Sequence, residues 1–219
     1  MKASILSIIL FFVGCCFGQT TQTEDDPFDV NYGVTLERID SSLLKDVQIV
    51  EFDKSEGVIF PKEYAEQFFG DPKAVYYTPD TALIKSIDSE IISQYCEANQ
   101  RFNENVQAIT IKRLEENDDR ESIENARRQK NEERKRFERN CLKRQKNLIY
   151  FDRQYIGYTN KSGERIIFIQ MLDFRKDPYR IKPEFKNSWI VGWHGWFETN
   201  TISLHFHVDK NLLTVNEDL

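Results

Sequence analysis

The chain has 219 residues, enough for one domain with a real core, and its 36 Asp plus Glu against 30 Lys plus Arg give a net charge of −6. That balance excludes a global electrostatic footprint for nucleic acid. The order of its Cys, His, Ser and Gly residues shows no Cys-x-x-Cys pair, no phosphate-binding glycine loop and no recognisable Ser-His-Asp arrangement.

Lys2 is followed by the apolar run "ILSIILFFVGCCFG", too short to span a bilayer comfortably and flanked like a secretory leader, which predicts a signal peptide over 1–18 and export. Two processing routes stay open. Gly18 before Gln19 suits an ordinary signal peptidase, while "FVGC" approximates a lipobox, with Phe12 where leucine is usual and Cys15 as the lipidated residue. The product is then either secreted or lipid-anchored in the cell envelope, with no membrane contact beyond that anchor. No later run is long and apolar enough for a transmembrane helix. Residues 19–31 are polar and read as a disordered lead-in, leaving 32–219 as a single α+β domain.

"VQIVEF" (47–52) and "GVIF" (57–60) are β-branched and predict short strands. "PKEYAEQFFG" is a short helix with Pro61 at its start and Gly70 at its end. "AVYYTPD" is extended, and Asp80 supplies the acceptor that opens the next helix. From Thr81 to about Asn147 the pattern is helical without Gly or Pro, with Leu83, Ile84, Ile87, Ile91, Ile92 and Tyr95 on one stripe. The second half is too polar to pack as one straight rod, so a turn is expected within Glu115–Ser122, where Asp118 or Asp119 can cap a second helix.

Residues that face each other in an antiparallel hairpin have position numbers of nearly constant sum. Cys96 opposite Cys141, Phe102 opposite Phe137 and Ile91 opposite Leu148 all agree on a turn near Asp118–Asp119. The two cysteines outside the leader are therefore expected to oppose each other, as a disulfide or as two buried thiols. The region from about 100 to 147 reads as a charged helical-hairpin insertion. Its segment Arg127–Lys146 holds ten basic residues and three glutamates. It reads as a solvated face pairing with the first helix; docking of anionic lipid headgroups or acidic glycans is the functional alternative.

After Tyr150 the period changes to two, predicting the hairpin "RQYIGYTN" and "ERIIFIQMLDF" around Asn160–Gly163, then "SWIVGWHGWFE" and "TISLHFHVD" joined at Thr199–Asn200. In the last pair Ile202, Leu204, Phe206 and Val208 form a core face, as do Trp189, Val191, Trp193 and Phe197. If the two strands form a hairpin, core must face core, and His194, His205 and His207 then share the opposite face with Ile190, Trp196 and Glu198. That face is either an ordinary half-wet sheet surface or a three-histidine zinc site with Glu198 beside it as general base. Trp196 on the same face is a candidate for stacking on a sugar or a partner side chain.

The stretch "YFDRQYIGYTNKSGERIIFIQML", with "YYTPD" opening a helix upstream, resembles a group of uncharacterised exported bacterial proteins common in Bacteroidetes that share a "RQYIGY…G-E-II-I" strand pair after a helix. The likeness covers about Val75–Phe174; the basic helix and "WHGWFETNTISLHFH" depart from it. It implies export and a helix-then-sheet order, and no activity.

The expected fold is α+β, a long helix or helical hairpin packed on an antiparallel sheet of about four strands, cystatin-like or nuclear-transport-factor-like in outline. The expected role is non-enzymatic binding of a protein or glycan partner through the polar sheet face or the basic helix, with no cofactor. The alternatives are a zinc-dependent hydrolase or metal-binding protein using His194, His205 and His207, and a lipid-anchored inhibitor or structural partner.

Overall fold

A computed structural model of the chain describes residues 33–71, 73–117, 120–193 and 195–215, and only the backbone of 129–138. Cys15, the leader, the polar lead-in, Asp118, Asp119 and His194 lie outside the described residues. Strand β1 (Val34–Arg38) is followed by the hairpin β2 (Gln48–Glu51) and β3 (Glu56–Ile59), then helix α1 (Lys62–Phe68) and β4 (Val75–Tyr77). Gly70, with φ +52, takes the chain out of α1 in the left-handed region, where a β-carbon is costly.

Helix α2 (Thr81–Glu116) starts where Asp80 accepts a hydrogen bond from the Leu83 amide at 2.7 Å. It ends at Asn117, and α3 (Arg120–Asn147) returns antiparallel, so the long helical region folds back where expected. Only the first half of α2 is core: Ile84, Ile87, Ile91, Tyr95 and Ala98 are its buried positions, at helical spacing. Cys96 and Cys141 are joined as a disulfide with Cα atoms 5.6 Å apart, tying α3 to α2 near the edge of that core. No described helix is long and apolar enough to cross a membrane.

Strand β5 (Asp152–Thr159) pairs antiparallel with β6 (Arg165–Leu172), which pairs with β8 (Thr201–His207), and β8 with β9 (Leu212–Thr214). On the other side β5 pairs parallel with β3 at Arg153–Tyr155 and antiparallel with β4 at Gly157–Thr159. The result is a seven-stranded mixed sheet, larger than the expected four strands. One face carries the helical hairpin over Tyr155, Ile167, Ile169, Leu204 and Phe206. The other is covered by α1 and by a two-stranded layer of β1 with β7 (Ser188–Gly192), packing Phe60, Tyr64, Phe185, Trp189 and Ile190 on Ile156. Burial on both faces explains why Asp152 to Ile156 are all buried.

The expected pairing of the last two long strands is corrected. β7 pairs with β1, Ile190 opposite Leu36, and not with β8. Residues Trp196–Asn200 form the short helix α4 instead of extending a strand. The physical reason lies in two glycines. A β-carbon at Gly192 would lie 2.6 Å from the Phe197 ring, and Gly195 takes φ +62, so the chain turns sharply back on itself here. The assigned faces change accordingly: Ile190 is fully buried, whereas Trp193 is 61% exposed.

Candidate ligand-binding cleft

Pairing across the sheet fixes which side chains share the face opposite the helical hairpin. Ile156 lies opposite Phe168, and Phe168 opposite His205; one step along, Tyr76 lies opposite Tyr158. These side chains floor a cleft of about 290 Å³, closed on one side by Phe69, Asp71 and Ala74 from the loop after α1. The His205 imidazole stacks on Phe168 with centroids 4.9 Å apart and meets Tyr158 edge-on at 6.3 Å. Phe69 stands at 89° to Phe168, and Tyr76 at 52° to Tyr158. Apart from the Phe168–His205 stack, at 18°, the rings thus meet at steep angles and do not form one flat platform.

Asp71 and Tyr76 bring two polar groups to its lining. The Asp71 amide donates to the Tyr76 hydroxyl at 3.4 Å, while Asp71 Oδ1 accepts from the Lys73 amide at 2.8 Å and steadies the loop. Burial pushes the Tyr76 hydroxyl above its ordinary pKa; the carboxylates of Asp71 and Glu66 push it further, against the opposing amide hydrogen bond. Behind the cleft Trp189 packs on Phe168 at 5.3 Å and on Phe69 at 5.5 Å, fixing both rings from the layer beneath.

The residues singled out from sequence are dispersed. His205 and His207 do project from the same face of β8, alternating with Ile202, Leu204 and Phe206. Yet the His207 ring is held at both nitrogens, Nδ1 2.8 Å from Glu164 and Nε2 3.3 Å from the Thr214 hydroxyl, and Lys210 closes on the same Glu164. It belongs to an ion-pair cluster at the end of the sheet. Glu198 is exposed on α4, where no strand places it beside the histidines. Among the described residues no group of three or more His, Cys, Asp or Glu is disposed to hold a metal ion.

Trp196 is a second correction, because it is buried and offers no surface for recognition. Its indole stacks on Phe174 at 5.5 Å and its Nε1 donates to the Lys176 carbonyl at 2.6 Å. The cleft residues Phe69, Asp71, Tyr76, Tyr158 and Phe168 escaped the sequence reading. A signal for part of the set exists in the density of rings from Phe60 to Tyr77, where six of eighteen residues are aromatic.

A second concavity of about 370 Å³ at the foot of α3 is lined by Lys54, Tyr150, Asp152, Arg175 and Lys182, among others. Its cations are already tied to carboxylates: Lys182 to Asp152 at 2.8 Å, Arg175 to Asp173 at 2.6 Å and Lys54 to Asp53 at 3.4 Å. This reads as an ion-pair network before it reads as an anion site. No family model, curated protein or solved structure matches the chain significantly.

Proposed function

We propose that the chain is an exported, non-enzymatic binding protein, secreted or lipid-anchored at Cys15, that takes a small ligand in the cleft floored by Ile156, Tyr158, Phe168 and His205. One observation carries this reading. Rings from β4, β5, β6, β8 and the loop after α1 converge on one concave volume, whose lining includes the carboxylate residue Asp71. Such a mostly apolar hollow with a few placed polar groups is what small-molecule sites have in common, and its size sits at the small end of their range. The apolar run after Lys2 and the Cys96–Cys141 disulfide support the compartment.

The test is a fragment screen by two-dimensional NMR on the purified protein as the cell processes it. The expected result is shifts at the amides of Tyr76, Ile156, Phe168 and His205 that are lost in Phe168→Ala. Fragment hits confined to other surfaces would sink the reading. Movement of Cys15→Ser from the membrane to the soluble fraction is the expected sign of a lipid anchor, and a wild type already in the soluble fraction would leave the secreted form.

A further inference from the structure

The walls of the cleft say more about the ligand than that it is small. A sugar ring is normally gripped by lying flat on an exposed aromatic face, and here no single face dominates. Phe69 and Phe168 meet at 89°, Tyr158 and His205 at 89°, and Tyr76 and Tyr158 at 52°, while the one near-parallel pair, Phe168 and His205 at 18°, is stacked ring on ring. Rings set at steep angles around a small hollow suit a compact, roughly spherical group. An apolar sphere such as a tert-butyl group would meet that shape, so charge has to decide between the two.

Leaving the His205 imidazole aside, the charge that the described lining residues place at the cleft is negative. Among its described lining residues Asp71 is the one carboxylate, and neither lysine nor arginine lines it. Glu66, one turn back on α1, is near enough to act on the Tyr76 hydroxyl together with Asp71. Aromatic faces carry negative charge density of their own, which attracts a cation placed over them and does nothing for a neutral group of the same shape. An anionic ligand would meet Asp71 unfavourably.

We infer that the ligand presents a methylated or quaternary ammonium group, held against the rings of Tyr76 and Tyr158 with Asp71 of the cleft lining supplying the counter-charge. This inference rests on the cleft being a ligand site. A quaternary head gives up little hydration when it enters an aromatic hollow, whereas a primary ammonium loses strong hydrogen bonds to water that the rings cannot replace. The site should therefore favour methylated over unmethylated ammonium.

The deciding experiment titrates the purified, cell-processed protein with choline and tetramethylammonium chloride. The controls are 3,3-dimethylbutan-1-ol, the uncharged isostere of choline, together with ethanolamine, galactose and N-acetylglucosamine, all followed by NMR. Choline is expected to shift the cleft amides and to bind about tenfold more tightly than its isostere, a difference of about 1.4 kcal/mol. Asp71→Asn keeps the Lys73 turn, since the amide oxygen can still accept, and should weaken choline severalfold without touching the isostere. Phe168→Leu should weaken both.

Equal binding of choline and the isostere, or an Asp71→Asn variant with unchanged choline affinity, overturns the inference. Shifts at the cleft with the sugars alone also overturn it while leaving the cleft as a binding site. If neither these probes nor any fragment reaches the cleft, the proposed function fails along with it.

Discussion

Arg153 on β5 is 1% exposed, with its Nε 3.1 Å from Asp88 on α2 and its guanidinium over the Phe52 ring at 4.5 Å. It also donates to the carbonyls of Phe151 and Leu148 and to the Ser55 hydroxyl. Burial pushes the Asp88 carboxyl above its ordinary pKa, and the attraction of Arg153 only partly offsets this. Asp173 goes the other way. Burial would raise it, but the side-chain and backbone hydrogen bonds from Arg175 outweigh that effect and hold it below the usual range. The two aspartates therefore tilt stability against pH in opposite senses. Where the folded pKa is lowered, the contribution is full above the unfolded value of about 4 and is lost as pH falls through the folded one. Where it is raised, the folded state binds the extra proton, and stability falls as pH climbs from about 4 to the raised value. Asp173→Asn should cost on the order of 1 kcal/mol at neutral pH, Arg175 being half-exposed, and the deficit should begin to shrink as pH falls below about 4. Asp88→Asn should instead gain on the wild type as pH rises through the carboxylate range. Urea denaturation between pH 3 and 7 reads both slopes, and parallel curves would contradict the assignment.

The helical hairpin divides at its disulfide into a docked base and a projecting end. Apart from Ala98, no position of α2 beyond the bridge is buried, so the outer turns are held by i,i+4 pairs such as Glu97–Arg101 and by the facing helix. The bridge closes a sequence separation of 45 residues, which the chain-entropy model values at about 4 kcal/mol. Cys96→Ser with Cys141→Ser should lower stability by about 2–4 kcal/mol. Hydrogen exchange should then accelerate from about residue 100 to 140, while Ile84 to Tyr95 keep their protection. Uniform acceleration through α2 would mean that base and end are one cooperative unit. The hairpin was legible because its partners are joined by one turn, and Cys96 with Cys141 can be found by counting. β8 was legible for the same local reason, its alternation from Thr201 to His207 surviving intact. The partner of β7 was not. Neighbouring strands usually pair, but β1 lies about 150 residues upstream in sequence, and nothing in "SWIVG" names it. The cleft was hidden by the same cause, since its rings come from strands whose order in the sheet is non-local.

At the scale of the whole molecule, the β1–β7 layer is held over the sheet by buried amides as well as apolar packing. Gln154 donates to the carbonyls of Phe185 at 2.9 Å and Ser188 at 2.6 Å, and its own oxygen accepts from the Ile190 amide. Gln170, beside it on β6, donates to the Ile190 carbonyl at 2.6 Å. Two glutamines thus replace the backbone ladder that β7 would have made with a neighbouring strand of the main sheet. Between this layer and the sheet stands Trp189, which backs Phe69 and Phe168 at the cleft. Gln154→Leu keeps the side chain's bulk and leaves three buried backbone groups short of a partner, at about 1–3 kcal/mol for each one left unsatisfied. β7 should loosen before the sheet does, because the helical hairpin packs on the opposite face. Trp189 would then gain water, shifting its emission to the red in a Trp193→Phe background that removes the exposed indole. Phe69 and Phe168 would lose their backing, so choline affinity should fall although Gln154 does not line the cleft. A variant that is destabilised yet keeps full cleft affinity would show that the two-stranded layer shelters the core without shaping the site.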